Sequence, residues 1–334
     1  MVAEARENVS VQKSAVSRII SQNRRALSAL VVFILEIVFF NIASPKVFSN
    51  PLIYTSVFTS LPISIILTMP LVFVVTAGEI DLSFPSVIGV SAWGFAACVQ
   101  ANLGPVVGLV VALLIGALAG LLNSLLITKV GLSALVSTLG MNFLLRGVIQ
   151  IGTQGNGIPL TSITDSAFNQ LLVGARLFDV LPIQMVWGVL FAAVGWWLFN
   201  RHQFGAHICC VGDNQESARE MGINVNRVKT MAFIYVGIAA ALAGVFSVMI
   251  NNIFWPTTGD GYLLGTLAAV FVGGTPTWGG VGTVVGAVIG AFIVGFIETG
   301  LIASGFTGFY TQFFYGLVLI LSLVGHRFNQ QRYR

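Results

Sequence analysis

Apolar runs of membrane-spanning length recur along almost the whole sequence. The hydrocarbon core of a bilayer is about 30 Å thick and needs roughly 20 apolar residues per helix. Only 8% of the residues are charged and 56% are hydrophobic, whereas soluble domains carry about 25% charged residues. Because the short alternating segments of a membrane β-barrel do not occur, an all-α integral membrane protein is predicted. The apolar blocks lie approximately at 26–43, 52–76, 86–101, 105–127, 132–151, 181–199, 230–250, 262–273, 281–303 and 308–325.

Ten passes through the membrane would place both termini on the same side. Cytoplasmic loops carry an excess of Lys and Arg, and assigning that side to the cytoplasm leaves only Lys46 and Arg176 outside. The charge balance of +4 is therefore explained by topology rather than by a nucleic-acid partner. The predicted organisation is a cytoplasmic N-terminal tail at 1–25, one transmembrane domain at 26–325 and a cytoplasmic C-terminal tail at 326–334, with a cytoplasmic loop at 200–229 and a periplasmic loop at 152–180.

The N-terminal tail and the outer loop each leave two interpretations open. The tail is polar and mixed in charge, so no secretory signal peptide is predicted; it is either a helix on an anionic membrane surface or a disordered basic segment. The outer loop contains turn signals and room for a short surface helix. It is either a dock for an external partner or an extracellular cap.

The segment from Phe204 to Lys229 is the only long polar, charged stretch that lies between two apolar blocks. It contains the signals of a short helix: Asp213 as N-cap, Glu216 three residues later to complete a capping box, and Gly222 as the left-handed residue that ends it. Such a segment is either a contact for a soluble partner or a solvated loop.

One face of this short helix is predicted to be apolar. Ala218 and Met221 lie three residues apart on that face, and Ile223 continues it. We therefore expect a small protrusion with an apolar tip on the cytoplasmic side.

Two of the apolar blocks are interrupted by Gly and Pro. The first break, residues 78–85, reads Gly-Glu-Ile-Asp-Leu-Ser-Phe-Pro, and the second, residues 273–280, reads Gly-Gly-Thr-Pro-Thr-Trp-Gly-Gly. Irregular backbone at membrane depth is tolerated where it is buried in protein or lines a cavity, and paired interruptions are typical of transport pathways. The same sequences also fit tight cytoplasmic turns. Gly273 and Gly274 are thus candidate pathway residues.

Ionisable residues inside spans are costly and suggest function. Glu36 stands alone in the first span, which favours a structural role. Asp81 precedes a helix, so it is predicted to cap the amides of Ser83 or Phe84. Glu298 lies deep in the ninth block, where it either pairs with Arg146 or is protonated. Glu79, beside Asp81, is predicted to lie where the second span meets the cytoplasmic side.

Thr138, Asn142 and Arg146 recur every four residues in one apolar block, so they share a helix face. Such a stripe either hydrogen-bonds to neighbouring helices or lines a water-filled route. For Asn142 we favour the route, and for Arg146 snorkelling to the outer interface is the alternative.

Pairs of small residues point to close helix packing. Gly116 with Gly120, and Gly286 with Gly290, follow the small-xxx-small spacing that lets helix backbones approach. A packed bundle is predicted, and a subunit interface is one use of such faces.

Catalysis is not predicted for this chain. The sequence has no G-x-x-x-x-G-K-[ST], no nucleophile elbow and no His/Cys cluster. The three cysteines, Cys98, Cys209 and Cys210, have no metal-binding spacing and are interpreted as ordinary small apolar residues. No metal and no cofactor is expected on this chain.

Several of these blocks together resemble the ribose-type permease subunits of bacterial ABC importers, a family that includes ribose, xylose, galactose and autoinducer-2 permeases. The resemblance extends over about residues 52–325. Its strongest parts are Val74–Ser83, Phe204–His207 through Gly222–Val225, and Ala268–Gly274 with Gly279, Gly280 and Gly282; Ser137–Gly140 and Arg146–Gly147 agree as well.

This resemblance implies a type II importer permease fold of ten helices in the bacterial inner membrane. It also implies a second permease copy or paired homologue, a cytoplasmic ABC ATPase that binds ATP and Mg, and a periplasmic solute-binding protein. The short helix near Asp213–Met221 would be the coupling helix that fits the ATPase. The coupling candidates are Gly205, Gly212, Asp213, Asn214, Ala218, Met221, Gly222 and Ile223.

The sequence departs from the family pattern at the first break. Relatives usually read Gly-Gly-Ile-Asp-Leu-Ser-Val-Gly, whereas Glu79 replaces the second Gly here and Phe84-Pro85 replaces Val-Gly. A charge and a rigid residue have replaced two flexible positions, which leaves the solute open between a sugar, a polyol and another small polar molecule. The candidate pathway residues are Thr138, Asn142, Arg146, Glu79, Asp81, Gly273, Gly274 and Glu298.

The function predicted from the sequence is the translocation subunit of an ATP-driven importer for a monosaccharide or related polyol. Two alternatives remain. The first is an ion-coupled secondary transporter with Glu298 and Arg146 as its relay, and the second is a passive channel or membrane scaffold.

Overall fold

The structure, a computed structural model, describes residues 24–178 and 181–331. The two interpretations of the N-terminal tail concern residues outside this part of the chain. Fourteen helices occupy the described residues. They are α1 Arg24–Ala43, α2 Pro45–Phe48, α3 Pro51–Thr76, α4 Phe84–Gln100, α5 Pro105–Thr128, α6 Ala134–Thr153, α7 Ala167–Asn169, α8 Ile183–Asn200, α9 Gln203–Asp213, α10 Gln215–Glu220, α11 Val225–Asn251, α12 Tyr262–Val272, α13 Val284–Ala303 and α14 Phe309–Gln331.

Ten of these helices correspond one to one with the predicted apolar blocks. Within the described ranges, eight are long and apolar enough to cross a membrane, and α4 and α12 are shorter apolar helices. The predicted all-α membrane fold is therefore confirmed. α14 continues to Gln331, beyond the predicted end at 325.

The remaining elements are short and lie in two connections. In the loop at 152–180, the expected surface helix is α7, which a 3₁₀ turn at Thr161–Ile163 precedes and a π turn at Gln170–Gly174 follows. Two antiparallel ribbons complete the fold. They pair β1 Ile158–Pro159 with β4 Ile253–Phe254, and β2 Arg176–Leu177 with β3 Leu181–Pro182.

The core forms around α3 and α11. Both helices are apolar on all sides and largely buried, whereas α1 and α14 lie at the periphery and expose most of their surface. Helices that are hydrophobic all round become central in a bundle, because every face can then pack against protein. The first break follows directly on the end of α3, and α10 leads directly into the start of α11. Both candidate regions are therefore attached to the central helices.

The small-residue faces pack inside this one chain. A Cβ added to Gly116 would lie 2.2 Å from the carbonyl oxygen of Gly237, and one on Gly290 would lie 2.0 Å from that of Ala269. Helix α5 is therefore in backbone contact with α11, and α13 with α12. The prediction of a packed bundle is confirmed, and these faces are already occupied within the subunit.

Both predicted breaks are present, and a third irregular segment lies at membrane depth. We term residues 252–261, between α11 and α12, the re-entrant loop. In this loop the Thr258 carbonyl contacts Gly89, and the Gly259 backbone lies against Pro85, near the start of α4. Arg146, which binds the loop, is seven residues before the end of α6, about 10 Å along the helix. The loop thus descends from the end of α11 into the bundle.

Candidate translocation pathway and coupling surface

The first break is built around the buried carboxylate of Asp81. Its Oδ1 accepts hydrogen bonds from the Ser83 amide at 2.7 Å and from the Ser83 hydroxyl at 2.6 Å, and the Phe84 amide also donates to it. The capping role predicted for Asp81 is confirmed. From α5, Asn123 donates to the Ser83 hydroxyl at 2.7 Å, so the break is tied to a second helix.

Replacing Asp81 by alanine should destabilise the first break. The amides of Ser83 and Phe84 would lose their acceptor in a buried site, which costs about 2 kcal/mol. Thermal unfolding in detergent, followed by tryptophan fluorescence, should show a lower melting temperature. Asp81→Asn keeps an acceptor oxygen at this position and should lose less than half as much; an equal loss for both variants would contradict the capping account.

The polar stripe on α6 makes hydrogen bonds to this break. Thr138 accepts from the Leu82 amide at 3.0 Å, and Asn142 accepts from the Ser86 hydroxyl at 2.6 Å. The three stripe residues therefore share a face that points at α4 and the re-entrant loop. Asn142 therefore hydrogen-bonds to the neighbouring helix α4, the first of the two uses considered for the stripe, whereas Thr138 hydrogen-bonds to the first break.

Arg146 binds the re-entrant loop. It donates to the carbonyl oxygens of Pro256 at 2.6 Å and Thr258 at 3.2 Å, and it forms an ion pair with Asp260. Pairing of Arg146 with Glu298, one of the two interpretations left open for Glu298, is wrong, and so is snorkelling, because three acceptors within the protein bind the guanidinium. The two-residue relay required by the ion-coupled alternative is therefore not assembled in this structure.

Glu298 and Glu36 lie in the region between the peripheral helices and α13. The Glu298 carboxylate accepts from the Tyr315 hydroxyl at 2.8 Å. Both carboxylate oxygens of Glu36 are buried and lack a hydrogen-bond partner among the described residues. Glu36 lines a cavity of about 990 Å³ between α1, α13 and α14, which is the gap left where α1 and α14 both pack on α13.

Glu79 forms an ion pair with Lys229, near the start of α11. Both side chains are largely buried, so the charge that departs from the family pattern is neutralised inside the protein. Sequence reasoning missed this pair, since it placed Lys229 among the basic residues of the cytoplasmic loop. The Glu79 charge, which the family pattern lacks, was the sequence signal that a basic partner should lie nearby.

The second break packs directly on the first. We term the contact between Thr76–Gly78, Gly212–Asp213 and Gly279–Gly282 the glycine junction. The Gly280 amide donates to the Thr76 carbonyl at 2.8 Å, satisfying an acceptor at the end of α3. A Cβ on Gly212 would lie 1.7 Å from that carbonyl oxygen and 2.5 Å from the Gly280 nitrogen. The end of α9 therefore touches the backbone of both breaks.

Other glycines of the second break and of α9 are also buried against backbone. Gly273 and Gly274 are both buried, and a Cβ on Gly273 would lie 2.6 Å from the Ala287 backbone of α13. Gly205, at the start of α9, lies against the carbonyl of Phe199. Close backbone contacts at Gly273 and Gly205 thus hold neighbouring helices together.

The short helix α10 begins one residue later than the sequence signals suggested. Asp213 is the last residue of α9, and Asn214 is the N-cap, whose Oδ1 accepts from the amides of Glu216 at 2.9 Å and Ser217 at 3.0 Å. The assignment of Asp213 as N-cap is wrong because Asn214 takes the extended conformation that a cap requires. Gly222 has a φ of +82° and ends the helix, as predicted.

The predicted apolar face of α10 divides between the interior and the surface. Ala218 is fully buried, whereas Met221 is 64% exposed, and Ile223 is partly buried. Contrary to the prediction, Ala218 and Met221 therefore do not form one exposed apolar face, because Ala218 packs inside the protein. Met221 is the exposed apolar tip, and it borders a cavity of about 420 Å³ that is also lined by His202, His207 and Met231.

The three cysteines are free thiols, as the sequence indicated. Cys209 lies on α9, outside the spans, and burial raises the pKa of its thiol, with a further contribution from the neighbouring Cys210. A thiol with a raised pKa is mostly protonated at neutral pH and is a poor nucleophile. Cys209 and Cys210 pack against the hydrophobic core from α9, and Cys98 is buried in α4.

A family model described as branched-chain amino acid transport system / permease component matches residues 53–323. The chain belongs to this permease family. The match covers the α6 stripe, both breaks, the glycine junction and the re-entrant loop. The family is one of membrane permease components, so the chain is a multi-pass translocation subunit and not the catalytic subunit of a transporter.

Curated relatives are similar to the permease over nearly its full length. The ribose import permease protein RbsC of Bacillus subtilis is 33% identical over 294 residues, 88% of this chain and 89% of the relative. RbsC of Escherichia coli K12 is 30% identical, covering 90% and 92%. The autoinducer 2 import system permease protein LsrC of Yersinia pseudotuberculosis YPIII is 33% identical, covering 91% and 85%. No solved structure gives a significant match.

Proposed function

We propose that this permease is the membrane-spanning subunit of an ATP-driven importer for a monosaccharide or a related polyol. Two of the similar permeases are named for ribose import and one for import of autoinducer 2. Ribose is a small, hydroxyl-rich solute. The first break, which differs from the family pattern at Glu79, keeps its internal charge balanced through Lys229. A neutral solute is compatible with that balance.

Assignment as the membrane-spanning subunit of an ATP-driven importer also implies which proteins bind this permease. A cytoplasmic ABC ATPase, which carries ATP and Mg, would bind the surface of α9 and α10, and a periplasmic solute-binding protein would dock on the opposite side at residues 152–180. A second permease copy or a paired homologue would complete the membrane part. Both termini would lie in the cytoplasm of a bacterial cell, and the tails at 1–25 and 326–334 would flank one permease domain.

The glycine junction is the observation that carries this proposal. Helix α10 follows directly on α9, and the last turn of α9 lies in backbone contact with Thr76 and Gly280. Backbone contacts without intervening side chains leave little room for independent movement. A displacement of α10 by an ATPase would therefore reach both helix breaks at once, as expected of a rigid lever.

Replacing Met221 by aspartate should uncouple the permease from its ATPase. Met221 is exposed, so the change should leave folding intact while placing a charge at an apolar contact, which costs several kcal/mol if the residue is buried in the complex. In proteoliposomes with the ATPase and the binding protein, sugar-stimulated ATP hydrolysis and uptake should both fall at least about tenfold.

Leu132→Asp is the matched control. Leu132 is another exposed apolar residue, at 44%, and lies in the α5–α6 connection. It should leave coupling unchanged. Ala218→Asp is a less informative variant because Ala218 is fully buried, so its effect would report on folding. Unchanged uptake by Met221→Asp, in a preparation where the wild type is ATP-dependent, would remove the lever assignment.

A further inference from the structure

A polar cavity lies between the loop at 152–180 and the bundle, on the face opposite α9 and α10. Its volume is about 350 Å³, and its walls come from α3, from residues 164–176, from the start of α8 and from the end of α11. Helix α8 runs from this face to α9, and α11 runs to it from α10. We term this space the outer cavity. Its polar lining includes Thr59, Asp165, Asn169, Gln170, Arg176 and Gln184.

Two amide side chains of this lining carry buried oxygens that lack a partner. Asn169 and Gln184 are 5% and 3% exposed, and neither Asn169 Oδ1 nor Gln184 Oε1 has a hydrogen-bond partner among the described residues. Exchanging the oxygen and nitrogen of Asn169 gives no relief, because its Nδ2 donates to the Thr164 carbonyl at 2.6 Å. A buried acceptor without a donor is costly. Each oxygen therefore requires a donor from outside the described chain.

The walls of the outer cavity are fastened on both sides. Toward α8, the Trp187 indole donates to the Leu171 carbonyl at 3.0 Å, and the β2–β3 ribbon contributes Arg176 to the wall. Toward α11, the β1–β4 ribbon attaches the loop, and so does a 2.9 Å hydrogen bond from the Leu160 amide to the Asn252 carbonyl. The cavity is thus formed without a ligand, which lowers the cost of binding one.

The lining is suited to a neutral molecule that carries hydroxyl groups. Its charged residues are Asp165 and Arg176, one of each sign, so the cavity has no net charge to attract an ion. An unpaired amide oxygen accepts from an O–H donor, and the Gln184 nitrogen can donate in return. Met249 and Ile250 of α11 supply an apolar wall. Apolar walls with a few convergent polar groups are typical of small-molecule sites.

We propose that the outer cavity binds a neutral polyhydroxylated solute, and that an imported sugar first contacts the permease there; the second statement rests on the proposed import function. Solute hydroxyls donate to the amide oxygens of Asn169 and Gln184. The terminal torsion of a glutamine is soft, so the Gln184 oxygen can turn toward the solute. Binding thereby satisfies two acceptors that are otherwise unpaired.

The test is binding of ribose and ribitol to the full-length permease in lipid nanodiscs, measured by saturation-transfer NMR with empty nanodiscs as the background. Gln184→Met keeps the length of the side chain and removes its polar group. It should raise both dissociation constants about fivefold, the effect of one neutral hydrogen bond. The melting temperature should stay the same or rise, because an unpaired buried oxygen is removed. A purely structural role for Gln184 predicts a lower melting temperature instead.

A second variant and a matched control complete the binding series. Thr59→Leu fills the cavity from α3 and leaves both amides in place, so it should weaken binding at least fivefold as well. Gln100→Met makes the same chemical change as Gln184→Met. Because Gln100 is exposed at the end of α4 and does not line the outer cavity, this variant should bind both polyols as the wild type does.

Uptake into proteoliposomes with the ATPase and the binding protein separates the site from the import function. Ribose uptake should fall in Gln184→Met and not in Gln100→Met. If the wild type binds neither polyol, or if Gln184→Met and Thr59→Leu bind both as well as the wild type, only water fills the cavity and the site is overturned, while ATP-dependent uptake by the wild type still supports import. If binding depends on Gln184 but no polyol is imported, the import function fails and the binding site stands.

Discussion

Replacing Gly212 by alanine is expected to abolish transport and to destabilise the fold. The new Cβ would lie 1.7 Å from the Thr76 carbonyl oxygen and 2.5 Å from the Gly280 nitrogen, well inside van der Waals contact. These neighbours are backbone atoms, which cannot move aside as a flexible side chain does. The cost should reach about 3 kcal/mol, and the separated elements would no longer transmit movement from α9 to the two breaks.

The measurement for Gly212→Ala combines melting temperature in detergent with ATP-dependent uptake in proteoliposomes. Uptake should fall more steeply than the amount of folded protein, because the variant disturbs the contact through which coupling would pass. Gly316→Ala is the matched control, since nothing lies within 4 Å of a Cβ at Gly316 in α14. A Gly212→Ala protein with a normal melting temperature and normal uptake would show that close backbone contact at Gly212 is not needed for folding or for coupling.

Replacing Lys229 by methionine is expected to cost about 3 kcal/mol of stability, because it leaves the Glu79 carboxylate buried without its partner. The ion pair joins the first break to α11, so the loss should appear as easier unfolding of that region. Titration with SDS, followed by tryptophan fluorescence, measures the free energy of unfolding.

A double-mutant cycle separates the interaction energy between Glu79 and Lys229 from the contributions that each side chain makes with other neighbours. Glu79→Gln combined with Lys229→Met removes both charges, so it should recover most of the stability lost in Lys229→Met alone. Arg227→Met is the control, because Arg227 is exposed in the same turn of α11 and should change stability by less than about 0.5 kcal/mol. Additive losses for Glu79 and Lys229 would show that the two side chains do not interact.

Much of the fold could be predicted from the sequence because the relevant signals are local. The length of an apolar run sets a membrane-spanning helix, and Gly or Pro sets its interruption, so all ten blocks and both breaks could be predicted, although α11 begins at Val225 rather than at 230 and α14 ends at Gln331 rather than at 325. Asp81 could be assigned as a cap because its partners, Ser83 and Phe84, follow within three residues. Gly222 could be assigned because a left-handed helix end requires only its own backbone freedom.

The errors concern contacts between residues distant in the sequence. Glu298 was the one acidic partner considered for Arg146, and Asp260 was missed, since nothing local indicates that residues 252–261 turn back into the bundle. Lys229 was predicted to be one of the basic residues of the cytoplasmic loop, whereas α11 places it beside Glu79. Ala218 and Met221 share a predicted face, yet only packing determines that one is buried and the other is exposed.

The sequence by itself determined the membrane class, the spans, their breaks and the helix-capping segment between α9 and α11, because each follows from hydrophobic length and backbone preference. Tertiary structure alone decided which charges pair, where the re-entrant loop lies and which face of α10 is free. Ion pairing and burial depend on distances between separate helices, and those distances are fixed only when the helices pack. The glycine junction is the plainest case: Gly212, Thr76 and Gly280 are far apart in sequence and meet only in the folded bundle.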